Sequence, residues 1–209
     1  MLTEFSREYP YGWLGVLAAV APSSDEVVYC HHDRGFALLS LRTPELSRLY
    51  IQCLPDDDLD EWPDDRFWAE LQARVGQLEE GPVLEKGVTG MRSYVAEPMQ
   101  FGRLFLAGDA AHIVPPTGAK GLNLAINDVR ILAEAIVDRY GGGRGLETYS
   151  ERCLRRVWRA EHFSWWMTSM LHRPPGDDPF DRQLRLSQLR YVTASEAAAT
   201  SLAENYVGL

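Results

Sequence analysis

The stretch from Gly102 to Asn123 constrains this chain more than any other. Leu104-Phe105-Leu106-Ala107 is a short, wholly apolar run closed by Gly108-Asp109. An apolar run without alternation describes a strand buried on both faces, as in a parallel sheet. A loop rich in Gly and Pro follows, and then a helical pattern from Lys120 to Tyr140. Leu122, Ala125, Val129, Leu132, Ala133 and Ile136 would form its buried stripe. Gly141-Gly142-Gly143 would stop it. A strand feeding a helix in this way delivers Asp109 to the carboxyl end of the strand, the edge at which open α/β sheets bind ligands. There its carboxylate can accept two hydroxyl hydrogen bonds. Gly118 and Gly121 would let a ligand touch the backbone. The free N–H groups at the helix start would stabilise an anion such as a reduced flavin ring. The same pattern also fits a simpler role for Asp109, as a helix cap.

The residues before this stretch read as an antiparallel sheet. Tyr11 to Val20, Glu26 to His31, Gly35 to Leu41 and Arg48 to Leu54 are rich in β-branched, aromatic and Leu residues, with turn residues between them. Asp64 or Asp65 can cap a helix whose Phe67, Trp68, Leu71 and Val75 share one face. Gly76 and Gly81-Pro82 end that segment, and Arg92 to Glu97 forms a further strand. After the Gly run, a long helix covers Leu146 to His172, and shorter ones cover Pro179 to Val192 and Ser195 to Tyr206.

The 209 residues suffice for a hydrophobic core without disulfides or metals. The net charge of −9 is uneven: Asp56, Asp57, Asp58, Asp60, Glu61, Asp64 and Asp65 crowd one loop. An acidic balance argues against a nucleic-acid binder. No apolar run reaches the length of a membrane span. The apolar stretch from Trp13 to Ala21 lacks the basic flank of a signal peptide. Cys30, Cys53 and Cys153 are widely spaced, as reduced thiols of a cytoplasmic protein are. His31, His32 and Asp33 alternate between strand faces and do not make a metal site.

The stretch Gly102–Asn123 resembles the second FAD-contacting motif, the "GD" motif, of the flavin-dependent aromatic hydroxylases. The likeness continues in Tyr11–Gly15, Arg34–Leu38, Glu161–Ser169, Leu171–Arg173 and Glu204–Leu209, so it runs the length of the chain. The fold it implies mixes α+β and α/β. An antiparallel substrate-binding sheet occupies residues 1–98, and the last strand and helix of a Rossmann-like FAD-binding domain occupy 99–140. A helical, dimerising region fills 141–209. The activity implied is FAD- and NADPH-dependent hydroxylation of 4-hydroxybenzoate by O2, through a flavin C4a-hydroperoxide, to 3,4-dihydroxybenzoate. The intact family is homodimeric.

Site residues follow from the resemblance, position by position. Ser40, Arg42 and Tyr50 would hold the substrate carboxylate; residues i and i+2 of a strand share a face, and Arg can fork a carboxylate. Tyr29 would take the phenolic proton and pass it to Tyr206, since a phenol hydroxyl both donates and accepts. The carbonyl of Pro116 would accept from the substrate hydroxyl. Asp109 would bind the ribityl chain, and Gly118, Lys120, Gly121, Leu122 and Asn123 would face the flavin, with Lys120 favouring its anionic reduced form. Arg92 would contact the NADPH phosphates. His112, His162 and His172 are expected to be structural.

The chain departs from the family in one respect. It contains no G-x-G-x-x-G; Gly141–Gly145 follows a helix, not a strand. The unit that binds the ADP half of FAD, the middle FAD/NADPH motif and the His that ends the proton relay have no counterpart here. The resemblance is to the C-terminal half, and such a half alone is expected to fold poorly, bind FAD weakly and not turn over. Two alternatives stand beside the first reading. One is a related hydroxylase of another small aromatic acid; the other is a non-catalytic chain that pairs with a partner.

Overall fold

The computed structural model describes residues 1–208. Leu209, the last residue of the C-terminal motif, lies outside the described residues. The strands are β1 (Thr3–Ala18), β2 (Val28–Cys30), β3 (Ala37–Thr43), β4 (Leu46–Cys53), β5 (Val83–Glu97), β6 (Gln100–Phe101), β7 (Leu104–Phe105) and β8 (His112–Ile113). The helices are α1 (Asp64–Val75), α2 (Gly121–Tyr140), α3 (Tyr149–Leu171), α4 (Pro179–Ala194) and α5 (Glu196–Val207). The main sheet runs β2-β3-β4-β1-β5-β8. The chain divides into two compact units of interleaved segments. One comprises Met1–Glu8, Arg92–Thr168 and Leu189–Leu209; the other comprises Tyr9–Met91 and Ser169–Gln188.

In the second unit the strands pair antiparallel, as their spacing predicts. Register gives the sheet two distinct faces. Leu14, Val16, Ala37, Leu39, Leu49 and Ile51 point one way and pack on Phe67, Trp68 and Leu71 of α1. α1 starts after Pro63, which makes no side-chain cap; Asp64 and Asp65 stand in its first turn instead of capping it. There they still favour the positive end of the helix dipole. β5 is much longer than the segment Arg92–Glu97, because Val83 to Met91 continues the same strand.

The first unit corrects two expectations. Leu104–Ala107 is not a doubly buried parallel strand. Only Leu104–Phe105 is extended, in an antiparallel hairpin with β6 across Gly102, whose φ is +59°. Leu104 is 61% exposed. In addition, the buried positions of α2 are Leu124, Asp128, Ile131 and Ala135. The expected stripe is displaced from them: Leu122, Val129 and Ile136 are exposed, and only Leu132 of that set packs partly on the core. The helix carries apolar residues on both sides, and the core of Val95, Met99, Ala111, Tyr149, Cys153 and Val157 lies against the other one.

Candidate functional site

The face of the second unit's sheet opposite α1 carries the residues expected to hold an aromatic acid. Tyr29 pairs with Leu38, Leu38 with Tyr50, and Ser40 with Arg48, so Tyr29, Ser40, Arg48 and Tyr50 all project to this face. The bulge between Leu41 and Thr43 does not separate Arg42 from them, since Arg42 Nη1 donates to Ser40 Oγ at 3.1 Å. Arg48, which the resemblance did not single out, stands 5.6 Å from the Tyr50 ring centre. Its signal was present: it is two residues before Tyr50 on a strand.

An aromatic wall adjoins this polar end. Trp13 lies 5.1 Å from Phe36 and 5.0 Å from Tyr50, and Tyr29 lies 6.1 Å from Phe36. His172 is fully buried, stacked 4.4 Å from Phe36. Trp13 Nε1 donates to His172 Nε2 at 2.7 Å. His172 is a packing group, as expected. Burial pushes the Tyr11 phenol, stacked on the same ring, well above its ordinary value. Gly15 sits beneath Tyr50: a Cβ there would come within 2.9 Å of the ring. The face therefore sets a packed aromatic cluster beside two guanidinium groups and a hydroxyl.

In the first unit, Asp109 lies exposed in a 3-10 turn, Gly108–Ala110, and caps no helix. The turn is held from behind. Asp128, fully buried on α2, accepts Gly108 N–H at 3.0 Å and His112 Nε2 at 2.6 Å. His112 is thus structural, as expected, while Asp128 was missed because an acid within a helix reads as surface. Behind them Glu161 of α3 takes a hydrogen bond from Ser93, and burial pushes its carboxyl up to about 7.

The two glycines of the loop serve different ends. A Cβ on Gly121 would meet nothing within 4 Å, which leaves open the N–H groups that begin α2. A Cβ on Gly118 would lie 2.3 Å from Ser164 Oγ. Gly118 is therefore buried against α3 and is not open to a ligand, contrary to expectation. Leu122 and Asn123 are exposed, with Asn123 Nδ2 donating to Ala119 O at 3.2 Å. The Pro116 carbonyl accepts Ala119 N–H at 2.9 Å and retains a second lone pair. Lys120 is only 6% exposed; its Nζ donates to the Tyr206 carbonyl and stands 5.4 Å from the rings of Phe163 and Tyr206. Burial, with Arg156 nearby, pushes its pKa down. Arg92 is exposed on β5. Tyr206 stands on α5 of this unit, while Tyr29 stands on β2 of the other.

Residues 2–164 match the FAD-binding domain family. The chain belongs to that family. Its p-hydroxybenzoate hydroxylase relative from Acinetobacter baylyi is 52% identical over 98% of this chain and 52% of its own length. A putative polyketide hydroxylase of Streptomyces halstedii is 36% identical over 44% of the chain and 17% of its own length. The chain thus spans about half the length of the first of these relatives and less of the second. Among solved structures, p-nitrophenol 4-monooxygenase from Pseudomonas putida superposes with a TM-score of 0.76 at 19% identity, over 98% of this chain and 55% of that one. A Diels-Alderase of pyrroindomycin biosynthesis gives 0.78 at 20%, over all of this chain and 46% of that one. The family fold thus carries more than one reaction, and the chemistry has to be argued from the site. The cofactor of the family is FAD, and the residues here are compatible with it: the Asp109 carboxylate is exposed, and Gly121 leaves the start of α2 clear. No helix among the described residues is long and apolar enough to cross a membrane.

Proposed function

We propose that this chain provides the aromatic-acid-binding sheet and the flavin-ring side of an FAD- and NADPH-dependent monooxygenase that converts 4-hydroxybenzoate to 3,4-dihydroxybenzoate. The observation that carries this reading is the 52% identity with a p-hydroxybenzoate hydroxylase across 98% of the chain. The sheet face supports it, since Ser40, Arg42 and Tyr50 are the residue types a benzoate carboxylate requires. Arg42 supplies the positive charge, beside Arg48, which is shared with Glu85 at 3.6 Å, and Ser40 Oγ, already within reach of Arg42, fixes its fork. Trp13, Phe36 and Tyr50 exclude water from one side of the substrate ring. Tyr29 takes the phenolic proton, making the carbon beside the oxygen electron-rich. Bound FAD would carry the reducing equivalents of NADPH to oxygen. Asp109 orients its ribityl chain, the N–H groups of Gly121, Leu122 and Asn123 face its pyrimidine edge, and the carbonyl of Pro116 accepts from the substrate hydroxyl. Arg92 takes the NADPH phosphates, and the working assembly is a homodimer in the cytoplasm.

Titration of the chain with 4-hydroxybenzoate and with its methyl ester tests the carboxylate assignment. The acid binds at least about tenfold tighter, and Arg42→Gln removes that preference, a loss of about 1.4 kcal/mol or more. Equal binding of acid and ester overturns it. In the holoenzyme Tyr29→Phe lowers product per NADPH more than it lowers substrate affinity; unchanged coupling removes Tyr29 from the relay. A second reading, a chain that acts by pairing with a partner, is favoured by the exposed apolar side of α2, where Leu122 and Val137 are each more than 70% exposed. Sedimentation tests it: on that reading Val137→Glu shifts an associated species toward monomer, and an unchanged distribution sets it aside.

A further inference from the structure

Arg152, Arg155, Arg156 and Arg159 recur on α3 at i, i+3, i+4 and i+7, so one helix face carries four guanidinium groups. With Arg130 of α2 and Lys120 they line a cavity of about 550 Å³ within the first unit. Its cations are only partly balanced. Glu134 takes Arg130 at 2.6 Å and Arg152 at 2.9 Å, and Glu151 takes Arg155 at 3.3 Å. Arg156 and Arg159 donate to neutral oxygens, Gly208 O at 3.1 Å and Asn205 Oδ1 at 3.2 Å. Among the described residues, six cations against two carboxylates leave a surplus of four in a chain whose net charge is −9.

A solvated arginine stripe is the plainer reading of such a helix face. Two features speak against it here. The stripe lines a cavity that also has an apolar wall, Leu124, Ile131 and Phe163. The like charges at i and i+4 oppose one another and the helix, a cost that an anion would reverse. Arg156 already acts on Lys120, helping to lower its pKa.

We propose that this cavity binds the di- or triphosphate group of a free nucleotide. Guanidinium forks match phosphate oxygens bidentately, and four surplus charges match a triphosphate. The volume lies within the usual range for small-molecule sites. The wall of Leu124, Ile131 and Phe163 can take the base, with the Asn127 amide at its edge. The four α3 arginines take no part in the flavin and substrate assignments; Lys120 and Asn123, which also line the cavity, are shared with the flavin assignment.

Calorimetric titration of the chain with ATP, sodium tripolyphosphate and citrate, at fixed ionic strength and without FAD, tests it. ATP binds in the micromolar range, tripolyphosphate more weakly, and citrate at least about tenfold more weakly than ATP. Arg156→Gln/Arg159→Gln weakens ATP at least about tenfold, whereas Arg103→Gln, exposed and outside the cavity, leaves it unchanged. Both arginines are exposed, and unchanged far-ultraviolet dichroism and melting temperature confirm that the variant is folded. Saturating FAD does not displace ATP. No heat with ATP, citrate binding as tightly as ATP, full affinity in the double variant, or displacement of ATP by FAD would each overturn the assignment.

Discussion

Replacing Gly118 by Ala separates packing from ligand contact in the loop before α2. The new Cβ would stand 2.3 Å from Ser164 Oγ, 3.0 Å from its Cβ and 3.1 Å from its Cα. Rotating the serine relieves only the first contact. The other two atoms are fixed to the α3 backbone, so the loop and the helix must move apart by a few tenths of an ångström. Overpacking of this kind costs about 1–3 kcal/mol, and each kcal/mol lowers the melting temperature of a chain this size by about 2–4 °C. Urea unfolding followed by tryptophan fluorescence measures it. Ser164 Oγ is buried without a hydrogen-bond partner, so Ser164→Ala alone removes an unsatisfied hydroxyl and does not lower stability. In the Gly118→Ala background, the same change recovers at least about 0.5 kcal/mol, as expected for side chains in contact. Gly121→Ala, with nothing near its Cβ, leaves stability within about 0.5 kcal/mol and weakens FAD. A Gly118→Ala chain as stable as the parent, or a Gly121→Ala chain less stable than it, refutes the division of labour between the two glycines.

Three further outcomes are expected. The folded Glu161 carboxyl keeps its proton up to about pH 7, against an ordinary value of 4.5. The folded state therefore binds the extra proton between these values, and stability falls as pH rises through that window and levels above it. Glu161→Gln flattens the slope, by about 3 kcal/mol at most; an unaltered slope places the titration elsewhere. Burial pushes the Cys53 and Cys153 thiols up to about 12. A disulfide reagent at pH 8 therefore labels at most the half-buried Cys30 in the folded chain, and fast labelling of three thiols contradicts this burial. Gly15→Ala displaces the Tyr50 ring, 2.9 Å from the new Cβ, and weakens 4-hydroxybenzoate several-fold with little change in the urea midpoint.

The antiparallel sheet was legible because alternation is a local signal. Leu14 and Val16, or Leu39 and Leu49, stand on one face whatever the rest of the chain does. For the same reason the alternation of β3 and β4 alone sets Ser40 and Tyr50 on one side, and Arg48 was within reach of the same reasoning. The start of β5 was not legible, since Gly87 and Gly90 interrupt Val83 to Met91 and read as turn residues. Gly118 misled for a related reason. A glycine records that something comes close to the backbone, not whether it is a ligand or, as here, Ser164 of a neighbouring helix.

α2 shows where periodicity stops deciding. Leu122, Val129 and Ile136 repeat at helical spacing, and so do Leu124, Ile131 and Ala135 about half a turn away. The apolar count favours the first stripe, because the second is interrupted by the charged Asp128. The structure buries the second, and the interruption is the reason it can serve a site. An unpartnered carboxylate there would cost several kcal/mol. Asp128 avoids that cost by accepting from His112 and from Gly108 N–H, and the second of these bonds fixes the turn that presents Asp109. The residue that spoils the pattern is the one that ties the helix to the Gly108–Ala110 turn. Asp128→Ala should therefore cost more stability than any exposed substitution on α2, about 3 kcal/mol, and a loss no larger than that of Val129→Ala would show that the tie carries no weight.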